Sequence, residues 1–259
     1  MITLTSDFGL KDPYVAEMKG VILTINPNAT LIDITHEIDK FDLRAAAFTL
    51  ASATPYFPPN TVHLAIVDPG VGTERRAIIV ETTKGFFIGP DNGILIPAAQ
   101  NQEIKSIRQI TNPKFSLSKA SATFHGRDIF APAAAYLDKG VHPVEFGPKV
   151  NDPVTPDFAK AKLRREYFHG EVLHIDGFGD IVTNIPGRVT HFDEDKPVQV
   201  EFEGESIKIK FVHAYAESKG SEPVFLLGSH GFLEIAINKG NAAERLHLRT
   251  GDKIKVKSV

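Results

Sequence analysis

The sequence of 259 residues contains no cysteine. This absence excludes disulfide bonds, thiolate nucleophiles and zinc–thiolate sites, and it suits a reducing compartment. The chain also has no apolar run long enough to span a bilayer, and its first residues lack the basic start and apolar stretch of a signal peptide. Its net charge of −3 creates no general attraction for nucleic acid or anionic membranes. We therefore expect a cytoplasmic protein that binds neither nucleic acid nor membrane.

Several catalytic motifs are missing as well. No G-x-G-x-x-G follows the first predicted strand, which leaves a Rossmann dinucleotide site unsupported. The glycines of residues 69–72 are not followed by the Lys and Ser/Thr that a phosphate-binding P-loop needs. No serine occupies a G-x-S-x-G elbow, and the ten histidines stand singly, without an H-E-x-x-H pair. We expect neither a resident metal nor a cofactor.

What the sequence does contain is an ordinary globular composition, with 42% hydrophobic and 24% charged residues. In residues 1–145, β-prone runs alternate with helical patterns, and the apolar run Val62–Val67 is typical of a strand buried on both faces. This alternation predicts an α/β domain with a mostly parallel sheet. Asp12 is the expected N-cap of the first helix. Other predicted strands are Ile2–Thr5, Leu31–Ile34, Ala77–Glu81 and Phe86–Ile88, and the predicted helices are Asp12–Ile25, Leu43–Ala53 and Asp128–Asp138.

The second half has a different pattern. A segment rich in proline and charge, residues 146–165, is expected to be a linker. Residues 166–259 hold short strands divided by glycine or charged turns, which predicts a smaller antiparallel β-barrel-like domain. Those strands are predicted at Glu171–Ile175, Val198–Phe202, Ile207–Phe211, Val224–Leu227, Leu233–Ile237 and Ile254–Val256.

Polar side chains flank elements of the predicted parallel sheet. Asp7 follows the first strand, Asp68 follows Val62–Val67, and His125 precedes the last helix of this half. Ligands of open α/β sheets bind beyond the carboxyl ends of the strands, so these three are candidate site residues. For each taken alone, a loop, capping or structural role is an equally ordinary explanation. Asp7, Asp68, Asp91 and His125 are also a candidate ligand set for a metal-dependent hydrolase.

Five segments in a fixed order make the sequence specific: TSDFG, VDPGVGTERR, TFHGRDIFAP, IDGFGDIVTNI and GSHGFLEIAIN. Each alone is weak, and the last two alone would predict only β-turns between strands. Together they resemble the S-adenosyl-L-methionine hydroxide adenosyltransferase family, the hydrolase relatives of fluorinase and chlorinase. The resemblance runs from Thr5 to Ala243.

The resemblance implies an enzyme that hydrolyses S-adenosyl-L-methionine to adenosine and L-methionine, with the same two-domain fold. It also implies a homotrimer, in which each site lies between one subunit's N-terminal domain and a neighbour's C-terminal domain. The family's water-activating set maps onto Asp68, Arg75 and His125, and its ribose-diol residue maps onto Asp7.

The other implied positions surround the two ends of the substrate. Near the methionine end the family's residues map onto Asp176 and Ser229. Nearer the adenine they map onto Phe178, Asp180 and the stretch Glu234–Asn238. The aromatic rings of Phe124 and Phe178 are expected either to stack on the base or line the pocket, or to pack in the core.

Three positions depart from the patterns of relatives. Asp68 stands where the halogenating enzymes resemble a tyrosine site, and Gly126 replaces their halide-holding serine, so hydrolysis is expected rather than halogenation. Asp180 replaces the asparagine usual in the family. An ionised carboxylate only accepts hydrogen bonds, whereas asparagine also donates, so recognition of the base or amino group is expected to differ.

The expected chemistry is in-line attack of water on the ribose carbon bonded to the sulfonium sulfur. Arg75 is expected to stabilise the developing hydroxide, while Asp68 orients Arg75 and the water. His125 is expected to accept the proton or to hold the water, with a following helix N-terminus disfavouring its imidazolium form. Two alternatives stay open: a non-catalytic adenosine or S-adenosylmethionine binding protein, and a metal-dependent nucleotide hydrolase.

Overall fold

A computed structural model describes residues 1–187, 192, 196–218 and 220–258. The chain forms two compact units, Met1–Pro156 and Asp157–Val259. Residues of the predicted linker belong to both units: Phe146 and Val150 are buried in the first, and a short strand at Lys162–Arg164 belongs to the second. Within the described residues, no helix has the length and apolarity needed to cross a membrane.

The first unit contains a six-stranded sheet in the order β2-β1-β3-β5-β4-β6. Its strands are β1 Ile2–Ser6, β2 Leu31–Thr35, β3 Thr61–Ile66, β4 Ala77–Thr82, β5 Gly85–Pro90 and β6 Ile104–Gln109. β2, β1, β3 and β5 pair in parallel, whereas β4 is antiparallel to both of its neighbours. The predicted mostly parallel sheet is therefore confirmed. All residues of β3 are buried, as its apolar run indicated, and all residues of β1 are buried as well.

Helices cover both faces of this sheet: α1 Tyr14–Ile25, α2 Leu43–Ala53, α3 Ile96–Gln100 and α4 Ala131–Asp138. One core joins α1 and α4 to the sheet through residues such as Met18 and Phe130, and a second joins α2 and α3 through residues such as Leu50. α2 begins where predicted, since the Asp42 side chain accepts hydrogen bonds from two backbone N–H groups of the first turn. The start of α1 differs, because Pro13 itself occupies the cap position and makes no side-chain cap.

The predicted helix Asp128–Asp138 is α-helical only from Ala131. A π-helical turn, Gly126–Phe130, precedes α4, and Pro132 lies in the first turn of α4. Proline has no N–H to donate to the carbonyl one turn earlier. That carbonyl, of Asp128, instead accepts a hydrogen bond of 2.8 Å from the backbone of Leu117.

The second unit is a closed seven-stranded barrel with one extra strand at its side. The strands are β7 Lys162–Arg164, β8 Tyr167–Ile175, β9 Ile181–Pro186, β10 Pro197–Phe202, β11 Glu205–Val212, β12 Val224–Leu227, β13 Phe232–Ala236 and β14 Lys253–Ser258. The order is β14-β10-β11-β12-β13-β9-β8-β7, and pairing of β14 with β8 closes the barrel. A short helix, α5 Ala242–Leu246, precedes β14.

The barrel confirms the predicted fold class, with two differences. β11 and β12 pair in parallel, whereas the prediction was antiparallel throughout. β9 lies inside the segment whose glycines and polar residues alone predicted only a turn. Its residues Ile181 and Ile185 are buried in the barrel core, so apolar burial outweighs the turn-like composition that precedes them.

Candidate active site

The loop that follows β3 carries two of the predicted site residues, Asp68 and Arg75. Inside the loop, Thr73 Oγ1 donates to the carbonyl of Gly70 at 2.7 Å, which closes a tight turn. Gly72 has φ of +78°, and a Cβ there would lie 2.6 Å from the carbonyl oxygen of Ala122. Only glycine suits that position, and the fold of the loop brings Arg75 back beside Asp68.

Arg75 grips the Asp68 carboxylate with two of its nitrogens. Nε donates to both carboxylate oxygens at 3.0 Å, and Nη2 donates to Oδ2 at 2.5 Å. Both side chains are largely buried, which strengthens this charge-assisted pair relative to one in water. The guanidinium also lies 5.2 Å from the ring centroid of Phe130, so its position is fixed on a second side.

The same guanidinium holds His125, which lies directly before the π-helical turn. Nη2 of Arg75 is 2.9 Å from His125 Nδ1. Guanidinium can only donate, so Nδ1 accepts and the neutral ring carries its hydrogen on Nε2. Burial and the charge of Arg75 lower the pKa of His125, although the carboxylates of Asp68 and Asp128 act in the opposite direction. Burial and the charge of Arg75 therefore explain why His125 favours its neutral form.

A cavity of about 440 Å³ opens beside these residues and is lined by Asp7, Asp68, Phe124 and His125. The structure thus brings together four predicted residues that are far apart in the sequence. Arg75 touches two of them but does not itself belong to the cavity lining. Gly126 also lines the cavity, and a Cβ there would lie 3.1 Å from a Phe124 ring carbon.

Asp7 follows β1 and is buried. Its Oδ2 accepts a hydrogen bond of 3.0 Å from the backbone of Phe41, and its own carbonyl accepts one from Lys40 Nζ. Phe41 is 64% exposed, has φ of +66° and lines the cavity with Lys40. An aromatic residue held in the left-handed region and exposed at a cavity is a feature that composition did not indicate.

Two more aromatic residues line this cavity beside Phe124, and the sequence alone did not predict them. The rings of Phe8 and Tyr14 pack edge-on against Phe124, with centroids 5.7 and 5.2 Å away. The guanidinium of Arg127 covers the Phe124 ring at 5.1 Å. Phe124 therefore packs on the core of the first unit and lines the cavity at the same time. Phe8 stands in the TSDFG segment, so its adjacency to Asp7 was the available signal.

The second unit has its own cavity of about 840 Å³, which Asp176, Phe178, Asp180 and Asn238 line. Phe178 is 82% exposed, so the core-packing explanation for this residue is wrong. Gly179 next to it has φ of +85°, and a Cβ there would meet the side chain of Asn241 at 2.2 Å. The turn that carries these residues therefore needs glycine.

Carboxylates are concentrated in this part of the second unit. Burial and the nearby charge of Asp176 raise the pKa of Asp180 to about 6. Burial also raises the pKa of Glu234, although a hydrogen bond of 3.1 Å from the Tyr215 hydroxyl opposes that shift. Tyr215 lines the cavity and was not predicted. Ser229 lies exposed in the turn between β12 and β13, outside the cavity lining.

Of the four candidate metal ligands, Asp7, Asp68 and His125 line one cavity, but Asp91 does not. Asp91 accepts hydrogen bonds from Arg76 Nε at 2.7 Å and from the backbone of Val154 at 2.9 Å, and it does not line the cavity with Asp7 and Asp68. These contacts give Asp91 a structural role. Across the described part of the chain, no group of three or more His, Asp or Glu side chains is arranged to hold a metal ion.

Comparisons with known proteins give matches over nearly the whole chain. Family models match the SAM hydroxide adenosyltransferase N-terminal domain at residues 2–147 and C-terminal domain at residues 170–255. An (R)-S-adenosyl-L-methionine hydrolase of Methanocaldococcus jannaschii is 38% identical over 99% of this chain and 95% of its own length. One from Thermus thermophilus is 39% identical over 97% of each. A crystal structure of an uncharacterized conserved protein from Thermotoga maritima superimposes with a TM-score of 0.91 at 39% identity, covering 99% of this chain and 100% of that one.

Proposed function

The chain belongs to the S-adenosyl-L-methionine hydroxide adenosyltransferase family, and we propose that it hydrolyses (R)-S-adenosyl-L-methionine to adenosine and L-methionine. The (R) form is the substrate that the names of its relatives in Methanocaldococcus and Thermus carry. The observation that supports this function best is the hydrogen-bonded chain from Asp68 through Arg75 to His125 at one cavity. A protein that only bound the nucleoside would have no use for such a water-activating set.

The reaction joins a water oxygen to the ribose 5′ carbon and breaks the bond from that carbon to sulfur. Methionine leaves as a neutral thioether, so no acid has to protonate it, and one proton of the water is released. The water must be held in line with the breaking bond and must lose its proton as it attacks. Free water is a very weak acid at neutral pH, so a nearby positive charge and a hydrogen-bond acceptor are needed.

The tautomer of His125 determines which group holds the water and which group accepts its proton. Nδ1 is occupied by Arg75, so the ring offers the N–H of Nε2 as a donor to the water oxygen. Asp68 keeps unshared lone pairs and accepts from the water. Arg75 acts on both through its positive charge, which favours hydroxide beside them. Of the two roles expected for His125, this assignment favours holding the water over accepting its proton, because the accepting nitrogen of the ring is already used.

The remaining predicted residues bind the substrate around this centre. Asp7 keeps one oxygen free of the Phe41 contact and accepts hydrogen bonds from the ribose diol. Phe124 lines the cavity and contacts the adenosyl group. The second unit of a neighbouring subunit completes the site with Phe178, Asp180, Glu234 and Asn238 and, at the methionine end, with Asp176 and Ser229. A site shared between subunits needs an oligomer, and we expect the homotrimer that the family resemblance implies. Sedimentation or light scattering tests that state directly.

An isotope experiment tests the reaction itself. The protein is incubated with (R)- and (S)-S-adenosylmethionine in ¹⁸O water, and the products are separated and weighed by mass spectrometry. We expect one ¹⁸O atom in adenosine, none in methionine, and faster turnover of the (R) form. Unlabelled adenosine or no adenosine would contradict the proposal. Loss of turnover in EDTA would favour the metal-dependent alternative, and binding without turnover the non-catalytic one. The cytoplasmic location stays a prediction for cell fractionation.

A further inference from the structure

Two carboxylates, Asp176 and Asp180, line the cavity of the second unit, and a third, Glu234, lies behind Tyr215 of the same lining. Asp176 directly follows β8, Asp180 directly precedes β9, and Glu234 lies on β13. Asp180 and Glu234 are only 8% and 5% exposed. Glu234 accepts a hydrogen bond from Tyr215, which lines the cavity, and burial together with the charges of both aspartates raises the pKa of Glu234. Two of these carboxylates are buried and Asp176 is half-buried, so their like charges disfavour full ionisation and one of the groups retains a proton more readily than an isolated acid.

The hydrogen bonds to each carboxylate identify the group that retains the proton. Asp176 Oδ1 accepts two backbone N–H bonds, from Phe178 and Asp180, each of 2.9 Å. Glu234 accepts the Tyr215 hydroxyl at 3.1 Å. Asp180 has one backbone donor, at Ile237, and it also faces the charge of Asp176. Donors stabilise the ionised form, so Asp180 is poorly compensated for a buried carboxylate.

The groups around Asp180 come from four elements. Asp176 lies at the end of β8, Glu234 on β13, and Tyr215 on a 3₁₀ turn, and all three are anionic or hydrogen-bond to an anion. Lys239 also lines the cavity, from the turn after β13, and its side chain is exposed. Burial and Asp176 together raise the pKa of Asp180 to about 6.

A protonated carboxyl group presents a carbonyl acceptor beside an O–H donor. That is the pattern by which an asparagine side chain binds the edge of adenine, one bond to the amino group and one to a ring nitrogen. An ionised carboxylate would instead face the ring-nitrogen lone pair with another lone pair. Phe178, two residues earlier and exposed at the same cavity, offers a flat face for the same base.

Resting on the proposed function, which supplies an adenosyl substrate, we propose that Asp180 is a specificity-determining residue that binds the adenine edge in its protonated form. The nucleoside then binds together with a proton. Affinity is highest below the pKa of the free carboxyl group and falls by up to tenfold for each pH unit above it. The ordinary asparagine at this position would bind the same edge with no such dependence.

Adenosine is the probe, because it does not ionise between pH 5.5 and 8.5 and its binding requires no turnover. Calorimetric titrations of the full-length protein are run at pH 6 and pH 8, each in two buffers of different ionisation enthalpy. We expect wild-type affinity to fall at least tenfold between the two pH values, with proton uptake on binding. Asp180→Asn should bind within about twofold at both, without proton uptake. Asp252→Asn, an acid of the same unit that accepts from the Arg249 backbone, should behave like wild type.

The outcomes separate cleanly. Equal affinity at both pH values, absence of proton uptake, tighter binding at pH 8, or no adenosine binding at pH 6 would each overturn the proposal. The wild-type measurement alone decides the point if Asp180→Asn does not fold. Release of adenosine from S-adenosylmethionine is followed separately by chromatography. A protein that hydrolyses its substrate but binds adenosine without a proton refutes the role of Asp180 and leaves the proposed function intact.

Discussion

Arg75 donates from Nη2 to Nδ1 of His125 at 2.9 Å while the same nitrogen binds Asp68 at 2.5 Å. One guanidinium group therefore sets both the position of a carboxylate and the tautomer of an imidazole. The roles of Asp68 and His125 therefore both depend on Arg75. In particular, His125 is a donor toward the cavity only as long as Arg75 occupies its other nitrogen.

Replacement of Arg75 by alanine should lower kcat about 10²–10³-fold, in the range seen when a preorganised electrostatic group is lost. KM should change little, since Arg75 does not line the cavity. Steady-state kinetics of adenosine release measures both. Arg76→Lys is the matched control, because the neighbouring arginine binds Asp91 and Asp152 instead. A tenfold rise in KM with unchanged kcat for Arg75→Ala would contradict the role given to this residue.

The kcat of the wild-type protein should fall on the acidic side at a pH below 6.5, the ordinary pKa of histidine. Burial and Arg75 lower the pKa of His125, and protonation of Nδ1 would place a second positive charge against the guanidinium. The neutral ring is therefore present, and activity retained, through pH 6.5. His125→Gln keeps a donor near the position of Nε2, so its residual kcat should exceed that of His125→Ala and lose the acidic limb. An acidic limb centred above pH 6.5 would refute this assignment.

The strand ends could be predicted to bring Asp7 and Asp68 together, since β1 and β3 are parallel neighbours and their carboxyl ends share an edge. The bond between Arg75 and His125 could not, because it depends on the return of a glycine-containing loop and on a π-helical turn. Local composition gives no direct signal for either.

The second unit shows where periodicity is insufficient. Short runs between glycine or charged turns predicted most barrel strands, yet they gave no signal for the parallel pairing of β11 with β12. Exposure of Phe178 and the compensation of Asp180 are likewise properties of neighbours distant in sequence. They follow from tertiary contacts that one sequence does not encode locally.

Gly126→Ala should destabilise the protein by about 1–3 kcal/mol, the usual cost of an overpacked core position. The new Cβ would lie within 3.3 Å of the side chains of Phe124, Met18 and Ile66. Gly20→Ala is the matched control, because a Cβ there meets nothing within 4 Å, and it should stabilise α1 by about 0.5–1 kcal/mol. Urea denaturation compares the two. A Gly126→Ala variant as stable as wild type would show that the neighbouring side chains can shift to accommodate the new Cβ.

Gly126→Ser should not convert the protein into a halogenating enzyme. The Asp68 carboxylate still lines the cavity and repels a halide, and the added Cβ lies only 3.1 Å from a Phe124 ring carbon. Chromatography after incubation with S-adenosylmethionine and either fluoride or chloride should show adenosine and no halogenated nucleoside. A halogenated product would mean that the carboxylate does not control the choice of nucleophile.

His63 should make the protein less stable in mild acid. The ring is buried on β3, bonded through Nδ1 to Thr3 Oγ1 at 2.9 Å and packed on Phe87, and burial lowers its pKa to about 4. Between pH 6.5 and 4 the unfolded chain binds a proton here that the folded chain does not, so stability falls as the pH falls. At pH 5 this single group should account for about 2 kcal/mol of the loss relative to pH 7.5. Urea denaturation of wild type and His63→Gln at the two pH values isolates that contribution, because glutamine retains polar atoms for Thr3 and does not titrate. If both proteins lose the same stability on acidification, His63 is not the buried group that responds to pH.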